Sequence, residues 1–194
     1  MSDHYEIATF LALGALTGGE ISVMQAVPEH FTQVNREFAK FNINVEYQKD
    51  TAIIAKNQDI KITRTKAPMI VRAQPWPALP VDMLPLFIPL ALKASSGQAL
   101  FHNWMYEAGL FWTSELLKFG ANLTMCDPHR ILITAGNQLK GTTVESPYII
   151  RAAIALTMTA MIAQGETKII NADSINRGHP NFVANLRSLG AKIE

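Results

Sequence analysis

The chain has 194 residues, 48% of them hydrophobic, and a formal charge of +1. That length and apolar content suit one domain or two small ones with a sizeable core, and the near-neutral balance without a Lys/Arg block argues against a nucleic-acid partner. A single cysteine, Cys126, excludes an internal disulfide framework and a cysteine-based zinc site. With acids in "MSDHYEIATF" and no apolar run of about 18 residues, a cytoplasmic protein with no membrane partner is expected.

In chain order, Asp3 followed by Glu6 fits a capping box that opens a first apolar helix, "ATFLALGAL", stopping at Gly19. A strand in "TGGEISVMQA" follows, then an amphipathic helix, "PEHFTQVNREFAKFNINV", ending at Asn42, and a strand pair turning at Lys49-Asp50. "APMIVRA" reads as a strand, and the Pro-rich "AQPWPALPVD" leads into a second apolar helix, "MLPLFIPLAL". After Gly97 come a strand in "SSGQALFHNW", a helix ending at Gly120 and a strand pair around Asp127-Pro128, where Cys126 is expected to fill core. Ser146 and Pro147 read as N-cap and first residue of a third apolar helix, "RAAIALTMTAMIA". The last stretch gives a stop at Gly165, a strand in "AQGETKIINA" and a helix ending at Gly190.

The stops recur at spacings of 23 (Gly19 to Asn42), 23 (Gly97 to Gly120) and 25 (Gly165 to Gly190) residues, the signature of an internal repeat. The expected fold is therefore α/β, built of three units near 1–62, 63–142 and 143–194. The first helix of each unit is apolar nearly all round, which places helices inside and sheets outside; a plain two-layer sandwich is the alternative. The first unit lacks the leading strand that "APMIVRA" gives the second, and the third stops before a strand pair. Open sheet edges are a liability, so the chain is expected to be one lobe of something longer, or to be covered by a homo-oligomer.

Counting back from the stops puts Asp3, Asp82 and Ile149 at matching helix starts. Asp3 reads as a cap. Asp82 is a poorer one, since Pro85 removes a backbone donor it could accept; cap and proton acceptor both remain open. Arg151 sits in early turns that the helix dipole makes unfavourable for a cation, so it calls for an anion, either Glu145 or a phosphate or carboxylate ligand. Arg177, in "NADSINRGHPNF", is a loop guanidinium before a helix start, an anion site or a solvated side chain. His4, His30, His102, His129 and His179 show no metal-type spacing, and no phosphate loop occurs. Neither a metal nor a cofactor is expected, and Trp76, Trp104 and Trp112 read as packing or interface residues.

"PWPALPVDM", "ELLKFGAN", the helix around Arg151, "INRGHPNFVANLRSLGAKIE" and "SDHYEIATFLALGALTGGE" resemble the enolpyruvyl transferase family, in particular its UDP-N-acetylglucosamine 1-carboxyvinyltransferases of peptidoglycan synthesis. The likeness runs in order from residue 2 to residue 194. It implies a single lobe over 1–194, an inside-out α/β barrel of three βαβαββ-type repeats, a fold also seen in RNA 3'-phosphate cyclases. It further implies a second lobe across a cleft, with phosphoenolpyruvate and UDP-N-acetylglucosamine as partners and transfer of the enolpyruvyl group to a sugar hydroxyl with release of phosphate. In that picture Asp82, Arg151 and Arg177 are catalytic, with Asp82 by the sugar hydroxyl and the arginines on phosphate and carboxylate; Asp82, Met105 and Asp3 bind substrate. The family's lysine-asparagine pair and reactive loop have no match in this sequence. Ile149 and Asn176 stand where the family usually has acids, Gly109 where it usually has an arginine, and Pro85 and Pro89 interrupt a helix. The resemblance thus fits either half an enzyme, inactive without its other lobe, or a non-catalytic paralogue that binds sugar nucleotide or serves in assembly.

Overall fold

The computed structural model describes residues 3–64 and 66–194; Ser2, in the opening stretch quoted above, lies outside them. Three apolar helices, α1 (His4–Thr17), α3 (Phe87–Lys93) and α5 (Ile150–Ala160), supply the centre. In α1 every residue from Ile7 to Leu16 is buried. A helix without a polar face gains the transfer free energy of all its side chains, about 1.5–3 kcal/mol for each large one, only if neighbours enclose it on every side. Here α3 touches both α1 and α5, and the buried side chains form one continuous cluster.

The strands form three separate sheets, and no closed barrel appears among the described residues. In the first sheet β1 (Ile21–Val23), β3 (Thr51–Ile54) and β2 (Val45–Gln48) lie in that order, all antiparallel. In the second, β4 (Met69–Arg72) runs parallel to β5 (Gln98–His102), which continues antiparallel into β7 (Arg130–Thr134) and β6 (Leu123–Asp127). The third pairs β8 (Thr143–Glu145) in parallel with β9 (Lys168–Ile170). The order β1-β3-β2 matches β5-β7-β6, and β8-β9 matches β4-β5. Helix α1 rests on the first sheet and α3 on the second. The amphipathic helices α2 (Thr32–Lys40), α4 (Ser114–Lys118) and α6 (Phe182–Ser188) each bury one apolar face.

Three sequence expectations shift. The left-handed residue closing α1 is Gly18 (φ 69°), one position before Gly19, because the amides of Gly18 and Gly19 turn back to the carbonyls of Ala15 and Gly14. Ser146 does not cap α5: the Ile149 amide bonds the Pro147 carbonyl at 2.6 Å in a tight turn, the Ser146 hydroxyl bonds the same carbonyl, and the helix begins only at Ile150. Cys126 is exposed, not core: Leu123 pairs with the buried Ile133, so alternation turns Thr124 and Cys126 to the other face of β6, and the register shift between Met125 and Asp127 leaves Cys126 unpaired. Of the tryptophans, Trp112 is buried, whereas Trp76 and Trp104 are exposed, the latter donating its indole N–H to the Ala73 carbonyl at 2.7 Å.

Gly97 sits at φ 99° in the turn between α3 and β5, and a Cβ there would lie 2.7 Å from that of Ile62. Backbone strain and steric overlap add, so Gly97→Ala should lower stability by about 2–4 kcal/mol in urea unfolding; a loss below about 1 kcal/mol would show that this turn tolerates a side chain.

Candidate active site

The helix starts converge. Asp3 caps α1, its carboxylate accepting the Tyr5 and Glu6 amides at 3.0 and 3.2 Å. Asp82 lies in a 3-10 turn, Val81–Leu86, that feeds directly into α3; Pro85 and Pro89 remove two amides there, and the Asp82 side chain makes no capping bond. Arg151 is the second residue of α5. Arg177 closes a second 3-10 turn, Ala172–Arg177, ahead of α6. All four side chains line one open cleft of about 400 Å³, completed by Tyr5, Thr9, Leu86, Tyr148, the first turns of α5, Gly178 and His179.

The anion that Arg151 requires is Asp82: Nη1 of the guanidinium pairs with Asp82 Oδ1. Glu145, the other protein candidate, instead accepts from the Asn171 amide group at 3.0 Å. Arg151 also lies over the Tyr106 ring, its Cζ 5.1 Å from the centroid, within cation–π range. Partial burial pushes its pKa down, because loss of water penalises the charged form, while the nearby Tyr5 works the other way. Arg177 is exposed and donates to the Tyr148 carbonyl at 2.8 Å, which leaves the rest of its fork of donors free to meet an incoming anion. The cleft therefore holds one carboxylate already paired with one guanidinium, and a second guanidinium beside them.

Met105 is exposed and does not line the cleft; its neighbour Tyr106 carries the contact to Arg151. Gly109 closes the turn that positions Tyr106, with its amide on the Tyr106 carbonyl at 3.3 Å. A Cβ at Gly109 would come within 2.6 Å of Asn103 Nδ2 and 3.1 Å of Tyr106 Cβ, so a side chain there requires Asn103 and Tyr106 to shift. Sequence reasoning missed Tyr5, Thr9, Tyr106, Tyr148 and His179. Tyr5 and Thr9 are one turn apart on α1, a spacing that would mark them as neighbours once Asp3 is placed in the cleft; the position of Tyr106 depends on a turn with no local signature.

A family model for EPSP synthase (3-phosphoshikimate 1-carboxyvinyltransferase) matches residues 1–186. The chain belongs to this enolpyruvyl transferase family. The UDP-N-acetylglucosamine 1-carboxyvinyltransferase of Borreliella burgdorferi is 33% identical over 195 residues, a match covering 100% of this chain and 45% of that protein. That of Bradyrhizobium diazoefficiens is 33% identical over 194 residues, covering 99% and 44%. This family member thus spans under half the length of the curated relatives it matches. Among solved structures, the enolpyruvyl transferase NikO from Streptomyces tendae aligns with a TM-score of 0.85 at 18% identity, over 100% of this chain and 44% of that one. EPSP synthase from Acinetobacter baumannii aligns at 0.66 and 18%, over 96% and 45%. Both share the fold. No helix among the described residues is long and apolar enough to cross a membrane.

Ile149 precedes α5 in an extended conformation and caps it with no side chain, although the Ala152 and Ala153 amides turn back to its carbonyl. An acid there would satisfy first-turn donors. Ile149→Asp should raise stability by roughly 0.5–1 kcal/mol in urea unfolding; an unchanged midpoint would mean that the first turn gains nothing from a side-chain acceptor.

Proposed function

We propose that this chain is one lobe of an enolpyruvyl transferase that moves the enolpyruvyl group of phosphoenolpyruvate onto a sugar hydroxyl of UDP-N-acetylglucosamine, and that it turns over only when a second lobe closes the cleft. The observation that carries this reading is the convergence of Asp82, Arg151 and Arg177 on one cleft at the shared end of three buried helices. Names of relatives matching the whole chain support the substrate class. In this reading residues 1–194 form a single lobe of three βαβαββ-type units, helices inside and sheets outside, the first lacking its leading strand and the third its strand pair.

Phosphoenolpyruvate carries a phosphate and a carboxylate, and two guanidiniums match that pair of planar, multidentate acceptors. Arg177, with free donors at the rim, meets the phosphate first. Arg151 then exchanges Asp82 for a ligand oxygen, which releases the Asp82 carboxylate to accept the proton of the attacking sugar hydroxyl. The ion pair thus stores the base and the anion receptor in contact until substrate separates them. Asp3, in the cleft, and Met105, which adjoins Tyr106 in the chain, serve the sugar nucleotide in this reading.

A second reading, a paralogue that binds sugar nucleotide without turnover or serves in assembly, is favoured by the same ion pair: Arg151 is already satisfied, and neither Ile149 nor Gly109 adds charge to the cleft. Calorimetry with phosphoenolpyruvate and the sugar nucleotide, together with phosphate release measured with and without an added partner lobe, separates the two. Turnover on adding the lobe supports the transferase; binding without phosphate release under both conditions supports the paralogue.

Arg177→Ala should abolish phosphoenolpyruvate binding while the circular dichroism spectrum stays unchanged, since the Arg177 side chain is exposed. Asp82→Asn should retain binding but lower turnover of the two-lobe enzyme by about a hundredfold or more, the usual contribution of a general base; full activity in that variant would remove Asp82 from the chemistry.

A further inference from the structure

The cleft contains a titratable group that the reading above does not use. His179 follows the Arg177-Gly178 turn, lines the cleft and is only 5% exposed. Its Nδ1 is sealed from solvent and has no hydrogen-bond partner among the described residues. The nearest acid is Glu6 of α1, whose Oε1 stands 3.8 Å away, beyond hydrogen-bond length. The ring is fixed by its backbone, with the His179 amide on the Ile175 carbonyl at 2.8 Å, and by Phe182, 5.7 Å away between ring centroids. Because Nδ1 is turned to Glu6, Nε2 is the polar atom His179 has for the cleft.

An imidazole that lines a cleft offers a ligand its Nε2–H as a donor when the ring is protonated. We propose that His179, when protonated, is a third ligand of the anion site, donating from Nε2 to an oxygen of a phosphate-like group held by Arg177. This rests on reading the cleft as an anion site, and adds a pH dependence to it. Protonation places a new positive charge beside the anion, so affinity rises as pH falls across the range in which imidazoles titrate, about pH 8 to about pH 5.5. The other groups facing the ring and the cleft are Asp3 at the start of α1, Tyr5 and Glu6 of α1, Asp82 before α3, Tyr148 before α5, Arg151 of α5 and Arg177; carboxylates, phenols and guanidiniums ordinarily keep one charge state over most of that window. His4 packs on His30 in a tilted pair, ring centroids 5.0 Å apart, and is not a cleft residue.

Sulfate is the suitable probe, being a dianion throughout this window where phosphate itself titrates. Calorimetry of the full chain should show sulfate affinity rising about fivefold or more on acidification, the scale of a partly screened charge-assisted hydrogen bond. His179→Gln should abolish the rise, and Glu6→Gln, which keeps its shape, should reduce it. An equal rise in His179→Gln, or none in the parent chain, overturns the proposal. Should His179→Gln fail to fold, proton NMR of the His179 ring in the parent chain decides: sulfate must shift its titration to higher pH, and an unmoved titration overturns the assignment. Sulfate bound with the same affinity at every pH defeats only the histidine, whereas no sulfate binding at any pH defeats the anion-site reading itself.

Discussion

The pairing of Asp82 with Arg151 sets the terms for everything around it. A guanidinium half-withdrawn from water, in the opening turns of an apolar helix, faces both a desolvation penalty and a helix dipole of the wrong sign. A carboxylate opposite offsets both, and it can stand opposite only because α3 and α5 are in contact and open at the same end. The pair therefore depends on the buried helices, and the cleft depends on the pair.

Local chain chemistry tunes this arrangement. Proline at 85 removes one of the two amides that the Asp82 carboxylate could cap, and the carboxylate, making no capping bond, stays available to Arg151. The turn before α5 delays the helix start to Ile150 and leaves Arg151 at the mouth of the cleft, not a turn deeper among buried alanines. Tyr106 supplies a polarisable face to the same guanidinium, held by a turn that closes at Gly109, where a Cβ would press on Asn103 and Tyr106. The cleft relies on aromatic and carboxylate partners for one arginine and leaves the other, Arg177, loosely tethered to a backbone carbonyl.

The element order was legible in the sequence because it rests on short-range rules. Positive-φ residues at Asn42, Gly97, Gly120, Gly165 and Gly190 fall where helices or their following turns end, and strands follow at Ile21, Gln98 and Lys168. The unbroken apolar stretches in α1 and α5 required burial on all sides. Where the reading erred, strand parity or a competing bond was responsible: Cys126 shares the outer face of β6 with Thr124, and the Pro147 carbonyl took the hydroxyl that would have capped α5.

The sequence by itself determined the helices, the strands and the identity of the charged groups at the helix mouths, because backbone propensity, capping and hydrophobic period act over a few residues. Which charge meets which was decided only by tertiary structure. Asp82 and Arg151 are far apart along the chain, and Glu145 was the nearer candidate for Arg151; packing α3 against α5 chose Asp82, and packing Phe10 of α1 on Phe182 of α6 brought Glu6 to His179. Electrostatic pairing follows distance in space, and that distance is set by the shared burial of the apolar helices.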